Sequence, residues 1–413
     1  MLSDARQETD KLFDLVHPDW LYQRPIPERH RIVFYLGHLE AFDWNLLRPH
    51  MRHAAVFDAA FDRLFAFGID PVDGGLPSDP PSAWPSIAEI DRYRQRVRQT
   101  LDDAEHQSAL LHMAVEHRLM HAETLAYMLH QLPLEGKRRD PQAPVPPAEP
   151  VRCETVAIPA GPATLGVAPT APFAWDNEFN THSVDVPAFT IDRCKVTNRD
   201  YLAFVDAGGY QDPNLWTADA WHWKAERNIS LPAFWRQAGS EWRCRTMFHD
   251  IPLPLDWPVY VSHAEAAAYA RWAGLRLPTE SEWHRAAYGA PDGSERQFPW
   301  GDELPAPQHG YFAFARWDPA PVNAFPAARS AFAVEGLLAN GWEWTATPFA
   351  PFPGFQPHPS YTGYSADFFD GKHFVLKGGS PRTAQCLLRR SFRNWFQPHY
   401  QYVYAGFRCA GGG

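Results

Sequence analysis

Nowhere does the chain carry an apolar run near the ~18 residues that a membrane span requires. Its opening stretch, "MLSDARQETDKLFDL", has no basic start and no apolar signal core. These absences lead us to expect a cytoplasmic protein with no membrane partner. Positive charge is in short supply too: 38 Lys and Arg face 48 Asp and Glu, a formal charge of −10. Nucleic acid and acidic membrane surfaces are therefore not expected partners. Cysteine is scarce, five residues at 153, 194, 244, 386 and 409, with no C-x-x-C pair. That argues against a thiolate zinc site and leads to an expectation of reduced thiols.

The chain is rich in aromatics and proline, with 17 Trp, 27 Phe, 15 Tyr and 40 Pro, a composition of irregular, aromatic-pinned loops. At 413 residues it exceeds one ordinary core, so two or three domains are expected. Its character changes near residue 140. Before that point the period is helical: "DARQETDKLFDLV", "HRIVFYLGHLEAFDWNLL", "SIAEIDRYRQRVRQTLDDA" and "SALLHMAVEHRLMHAETLAYMLHQL" repeat apolar residues at three and four. Ser86 with Glu89 three residues on predicts a capped helix start. Four such helices predict a bundle. "PLEGKRRDPQAPVPPAEP" then reads as a semi-rigid linker. The expected domains are 1–133, helical; 134–152, linker; and 153–413. In the last of these, helices are predicted after Thr197 or Asn198 (closed by Gly208), over "SHAEAAAYARWAGL", and after Thr279 with Glu282 three on. Short strands and long loops make up the rest.

The helix containing "HRLMHAE" places His117 and His121 four residues apart, on one face. The pair suits a metal ion, but His106, His112 and His130 on the same stretch make a chance pairing easy. His38, just after Gly37 on the second helix, offers a third ring. Gly37 would let a neighbouring backbone or ligand come close. One ligand from one helix and an i,i+4 pair from another is a usual bundle metal site, and neutral imidazoles suit iron, zinc, copper or nickel. The plainer reading of His38 is a hydrogen-bonded core histidine. Glu40 and Asp43 stand near enough in sequence to complete or support a site, and Glu123 to orient a ring.

"LGHLEAF" followed downstream by H-x-x-x-H-x-E resembles the DinB-like helical domain of the ergothioneine-type sulfoxide synthases. The second half resembles their formylglycine-generating-enzyme-like domain, a C-type-lectin-related fold. It does so through "FAWDNEFNTHSVDVPAF", "KVTNRDYLAFVDAGGY", "WPVYVSHAEAAAYARWAGLRLPTESEW", "NGWEWTATPF", "VLKGGSPRT", "SFRNWF" and "GFRCA". The resemblance runs co-linearly over almost the whole chain. It implies an α+β architecture: a DinB-like four-helix bundle followed by the lectin-related domain. It also implies a mononuclear non-haem Fe(II) held by His38, His117 and His121, with O2 as co-substrate. The implied reaction joins a thiol or other chalcogen donor to the imidazole carbon of hercynine, the trimethylated histidine.

Hercynine's quaternary ammonium favours aromatic faces, and residues 392–407 read "FRNWFQPHYQYVYAGF". Asn394 and Trp395 match the positions where the family holds hercynine. Members that use γ-glutamylcysteine have an acidic residue after that Trp and an arginine four further on. Here Phe396 and Tyr400 stand there, Trp84 replaces an arginine, and Met120 replaces a glutamine before the third ligand. An apolar replacement of an arginine leaves a carboxylate unpaired. A selenosugar, 1-seleno-N-acetylglucosamine, is therefore the expected donor, as in the selenoneine-forming members of the family. Tyr361, or else Tyr364, is implied as the proton or hydrogen donor, with Tyr400, Tyr402 and Tyr404 in reserve. Asp176, Asn177 and Glu178 are expected to organise loops. A monomer or weak homo-oligomer is expected.

Rival readings are a sulfoxide synthase using a thiol such as γ-glutamylcysteine or cysteine, a DinB-like zinc-dependent thiol transferase, and a non-catalytic lectin-like protein. Formylglycine generation would need two close cysteines before "RN", and Cys386 stands alone there.

Overall fold

The computed structural model describes residues 1–52, 54–66, 79–104, 106–138, 142 and 154–412. It divides into two compact units, Met1–Pro141 and Gln142–Gly413, the first helical and the second mixed, an α+β chain.

The first unit contains α1 (Leu2–Asp14), α2 (Ile32–Leu47), α3 (Ala59–Leu64), α4 (Ile87–Asp102) and α5 (Ser108–His130). α1 packs on α5, and α2 packs on both α4 and α5. The four expected helices form, and the short α3, capped by Asp58, is an addition the periodicity did not signal. Ser86 and Glu89 make the predicted reciprocal cap at α4. In α2 only Phe42 and Asn45 are not fully buried. A helix apolar on nearly every side belongs at the centre of its unit. Residues 134–138, counted above with the linker, are fixed to the bundle. Val16 bridges Lys137, and the Arg138 amide donates to the Leu15 carbonyl. Residues 139–141 and 143–153 lie outside the described residues.

The second unit begins with β1 (Thr155–Ile158), β2 (Gly161–Leu165), β3 (His182–Val186) and β4 (Phe189–Asp192). The helices α6 (Asn198–Asp206) and α7 (Ala218–Glu226) follow, then β5 (Trp235–Ala238), β6 (Glu241–Arg245) and β7 (Asp250–Pro252). α8 (His263–Trp272) and α9 (Glu280–Tyr288) precede β8 (Gly341–Pro348), β9 (Phe374–Gly379), β10 (Asn394–Phe396), β11 (Ala405–Gly406) and β12 (Ala410–Gly411). The main sheet runs β10-β9-β8-β11, and smaller sheets are β1-β4-β12, β2-β3 and β5-β6-β7. Capping boxes start α6 at Thr197, α8 at Ser262 and α9 at Thr279. Gly208, at φ +81°, follows the end of α6 in the left-handed region that glycine tolerates. α7, capped by Thr217, was not anticipated.

Long loops are tied down by buried ion pairs. Arg408 gives Nε and Nη2 to Glu343 at 2.6 and 2.8 Å, while Lys195 and the Trp283 indole reach the same carboxylate. Arg393 grips Glu280 with both arms, and Arg389 does the same to Glu178. The expectation of reduced thiols throughout fails. Cys244, Cys386 and Cys409 are free, but Cys194 is disulfide-bonded. An odd cysteine count excludes complete pairing and says nothing against a single bond.

Candidate metal centre

α2 and α5 face each other in the bundle, and their contact brings together His38, His117 and His121, all buried. Each ring offers one nitrogen within 4.8 Å of the others. The Nε2 atoms of His117 and His121 are 3.2 Å apart, a separation that suits two donors each ~2.1 Å from one ion. Among the described residues this is the cluster of three or more His, Cys, Asp or Glu that could hold a metal.

His38 is oriented for the task. Its Nδ1–H donates to the Phe65 carbonyl at 2.7 Å. A carbonyl only accepts, so the proton sits on Nδ1 and the Nε2 lone pair is free. That Nε2 is buried without a hydrogen-bond partner, as a metal ligand should be. Burial, the largest cause, lowers the His38 pKa to about 4. Burial likewise holds His117 and His121 well below the usual value. All three rings are neutral near pH 7, the form that binds metal. The residues present therefore fit a divalent transition ion.

Aromatic rings wall the site. Phe34 stacks on His38 at 4.8 Å, Phe42 on His117 at 3.4 Å, and Tyr35 lies 5.8 Å from His121. Phe34, His38 and Phe42 recur every four residues along α2, a row readable in the sequence but not singled out there. Gly37 explains the approach of Phe65: a Cβ there would meet the Phe65 ring at 2.4 Å. The close neighbour is thus a side chain. Trp84 packs near Phe34 and Phe65, so it belongs to the packing around His38.

Glu40 and Asp43 do not join the site. Both turn to Arg118, whose Nη2 reaches them at 3.0 and 2.6 Å. Burial raises the Glu40 pKa, but the Arg118 and Arg98 guanidiniums outweigh it and hold the carboxyl at about 2. Asp43 lacks the second arginine, and burial together with the Glu40 charge pushes it up to about 6. Glu123 is buried and lies about 200° around α5 from His121, away from the shared face.

Met120 sits half-buried beside His121. The other candidates are in the second unit. Tyr364 stacks on Trp175 at 3.9 Å and meets Trp395 edge-on at 5.3 Å, with Tyr361 5.6 Å from Tyr364. Trp395 also stacks on Phe349 at 4.2 Å. Alternation along β10 sends Asn394 and Phe396 to one face and Trp395 to the other. The Asn394 side chain accepts the Trp395 amide, and Phe396 stacks on Tyr400 at 5.1 Å. Asp176 bonds Ser365, and burial raises its pKa.

Comparison with known proteins adds a name to each unit. Residues 142–411 match the family described as sulfatase-modifying factor enzyme 1-like, and residues 1–110 match the DinB superfamily. The chain is similar to the hercynine oxygenase of Mycolicibacterium thermoresistibile, 36% identical over 99% of this chain and 93% of that one. It is likewise similar to that of Mycolicibacterium smegmatis, at 37% over 99% and 97%. Ergothioneine biosynthesis protein 1 of Neurospora crassa is 28% identical over 94% of this chain and 54% of its own.

Proposed function

We infer, for a chain that belongs to the sulfatase-modifying factor enzyme 1-like family and carries a DinB-superfamily unit ahead of it, an oxygen-dependent oxidoreductase of the sulfoxide-synthase type that acts on hercynine. The observation that carries the reading is the convergence of three buried, neutral imidazoles with the His38 proton fixed away from their meeting point. The metal is Fe(II), which supplies one-electron chemistry toward O2 that zinc lacks.

The chain's own residues do the rest. His38, His117 and His121 hold the ion, and the rings of Phe34, Tyr35 and Phe42 keep them oriented and exclude water. Trp395 and the rings around it offer aromatic faces to the trimethylammonium of hercynine, an attraction of roughly 0.5–2 kcal/mol per face. Tyr361 or Tyr364 holds the proton that the reaction moves. In the overall change a C–H and an S–H bond give way to C–S and S=O bonds. One O2 accepts four electrons, and one water leaves.

A thiol is the donor that the relatives' names favour, since one is an ergothioneine biosynthesis protein. A selenosugar is the second reading, favoured by the Phe396–Tyr400 stack, a surface suited to the C–H face of a sugar. Anaerobic loading with Fe(II), then O2 and hercynine with γ-glutamylcysteine, cysteine or 1-seleno-N-acetylglucosamine, tests both by mass spectrometry. Coupled product with a thiol supports the first donor, and product with the selenosugar alone supports the second. No O2-dependent coupling with any donor, or full activity with zinc, overturns the enzyme reading.

A further inference from the structure

The two helices that carry the imidazoles have little in their apolar pattern to fix how they sit against each other. In α2 only Phe42 and Asn45 are not fully buried, and from Met113 to His130 in α5 only Leu119, Met120 and Thr124 are not. A helix buried on nearly every side offers no single apolar stripe to specify one rotation or one axial position. Yet the site is demanding. Sliding α5 by one residue moves its side chains about 1.5 Å along the axis, a large part of the ~2.1 Å between a ring nitrogen and its ion.

A directional contact stands beside the rings. Arg118 directly follows His117, and its side chain is fully buried. Its Nη2 reaches the Leu39 carbonyl at 2.9 Å, Glu40 Oε2 at 3.0 Å and Asp43 Oδ2 at 2.6 Å. All three acceptors belong to α2 and lie just beyond His38. The other arm, Nη1, reaches Thr9 Oγ1 on α1 at 3.4 Å and Glu40 Oε1 at 3.3 Å. Glu40 passes the link to α4, accepting Arg98 Nε at 2.9 Å and Nη2 at 2.6 Å. Arg98 in turn holds Asp10 on α1. One continuous network thus joins α1, α2, α4 and α5. Buried ion pairs add little net stability, because the loss of hydration offsets the attraction. Their best-attested use is to fix the register of packed helices.

We propose that Arg118 is a positioning residue of the metal centre. By gripping the α2 segment that begins at Leu39, its guanidinium sets the axial register of α5 against α2 and so brings His117 and His121 to His38. The role rests on the metal reading proposed above. The network serves the geometry of the site and contributes little to the stability of the bundle.

Titration of the full chain with Co(II) alone is the test, because the visible absorption of this ion reports its ligand geometry. The melting temperature of the metal-free protein is followed in parallel. The key variant is Arg118→Met combined with Asp43→Leu. It removes the guanidinium together with the carboxylate that depends on it, and Glu40 keeps Arg98, so no buried charge is left alone. Its Co(II) affinity should fall about 10–100-fold, the scale for losing a group that orients a ligand, with an altered absorption band and the melting temperature held. Arg118→Lys with Asp43 intact keeps a cation without the planar fork and should recover part of the affinity. A double variant that binds Co(II) as the unaltered chain does, or one that melts far below it, overturns the proposal and leaves the metal reading standing. No uptake of Co(II) by the unaltered chain would remove the metal reading, and the proposal with it.

Discussion

In the second unit, Glu343 receives Arg408, Lys195 and an indole N–H, and Glu280 receives both arms of Arg393. In the helical unit, three imidazoles meet with the His38 Nε2 left over. A related contrast recurs within a few residues on α2, where His38 faces the cluster while Arg118 takes Glu40 and the Oδ2 of Asp43. Buried groups whose hydrogen-bonding capacity is met hold helices and loops in place. Buried groups that converge unmet are where a ligand belongs. Residue type does not separate the two classes, because two carboxylates near a histidine look like ligands until their partners are known.

Removing one ring should break the contrast most sharply. His117→Ala or His121→Ala is expected to lower iron content below stoichiometry and to cut O2-dependent coupling by about 1,000-fold or more, the scale on which a whole metal's chemistry counts. Metal analysis and product mass spectrometry check this. The matching change in the second unit, Arg408→Met, should leave iron binding intact. It should cost about 3–5 kcal/mol in denaturant unfolding, because Glu343 stays buried with less compensation. Similar losses of iron from both variants would erase the distinction between the two regions.

Acid should act on the imidazole site in a defined direction. His38 titrates at 6.5 when unfolded and at about 4 when folded. The folded state therefore prefers the neutral ring, and this stability is complete above pH 6.5. It is lost as pH falls from 6.5 through 4. The drop corresponds to about 3 kcal/mol for this ring, and His117 and His121 add in the same direction. Urea unfolding of metal-free protein at pH 7 and pH 4.5 measures it, and His38→Gln should flatten part of the dependence. A subtler perturbation is Gly37→Ala. The new methyl displaces the Phe65 ring and with it the carbonyl that orients His38. Iron affinity should fall about 10–100-fold, the usual effect of losing a partner that orients a ligand, with the helical content by circular dichroism unchanged.

Much of this arrangement was legible because helices write their contacts in steps of three and four. The period exposed α1, α2, α4 and α5, and the Ser-x-x-Glu and Thr-x-x-Glu signals fixed the starts of α4 and α9. His117 and His121 share a face by spacing alone. The carbonyl that orients His38 comes from Phe65, 27 residues away through α3, and no local period reports such a contact. α3 escaped notice because it has six residues, too few for two turns of pattern. α7 is longer, but "ADAWHWKAE" carries no clear apolar stripe. Glu40 and Asp43 were misplaced because nearness in sequence was taken for nearness in space. At about 100° per residue, Glu40 lies about 200° around the helix from His38 and Asp43 about 140°.

The His38 ring is set by an amide oxygen on one side and a benzene face on the other, so its aim comes from the fold and owes nothing to the ion it awaits. A newly made chain can then complete its helices first and take up metal afterwards. Chelation should strip and iron restore the protein repeatedly, with no excursion through an unfolded state such as small zinc domains undergo.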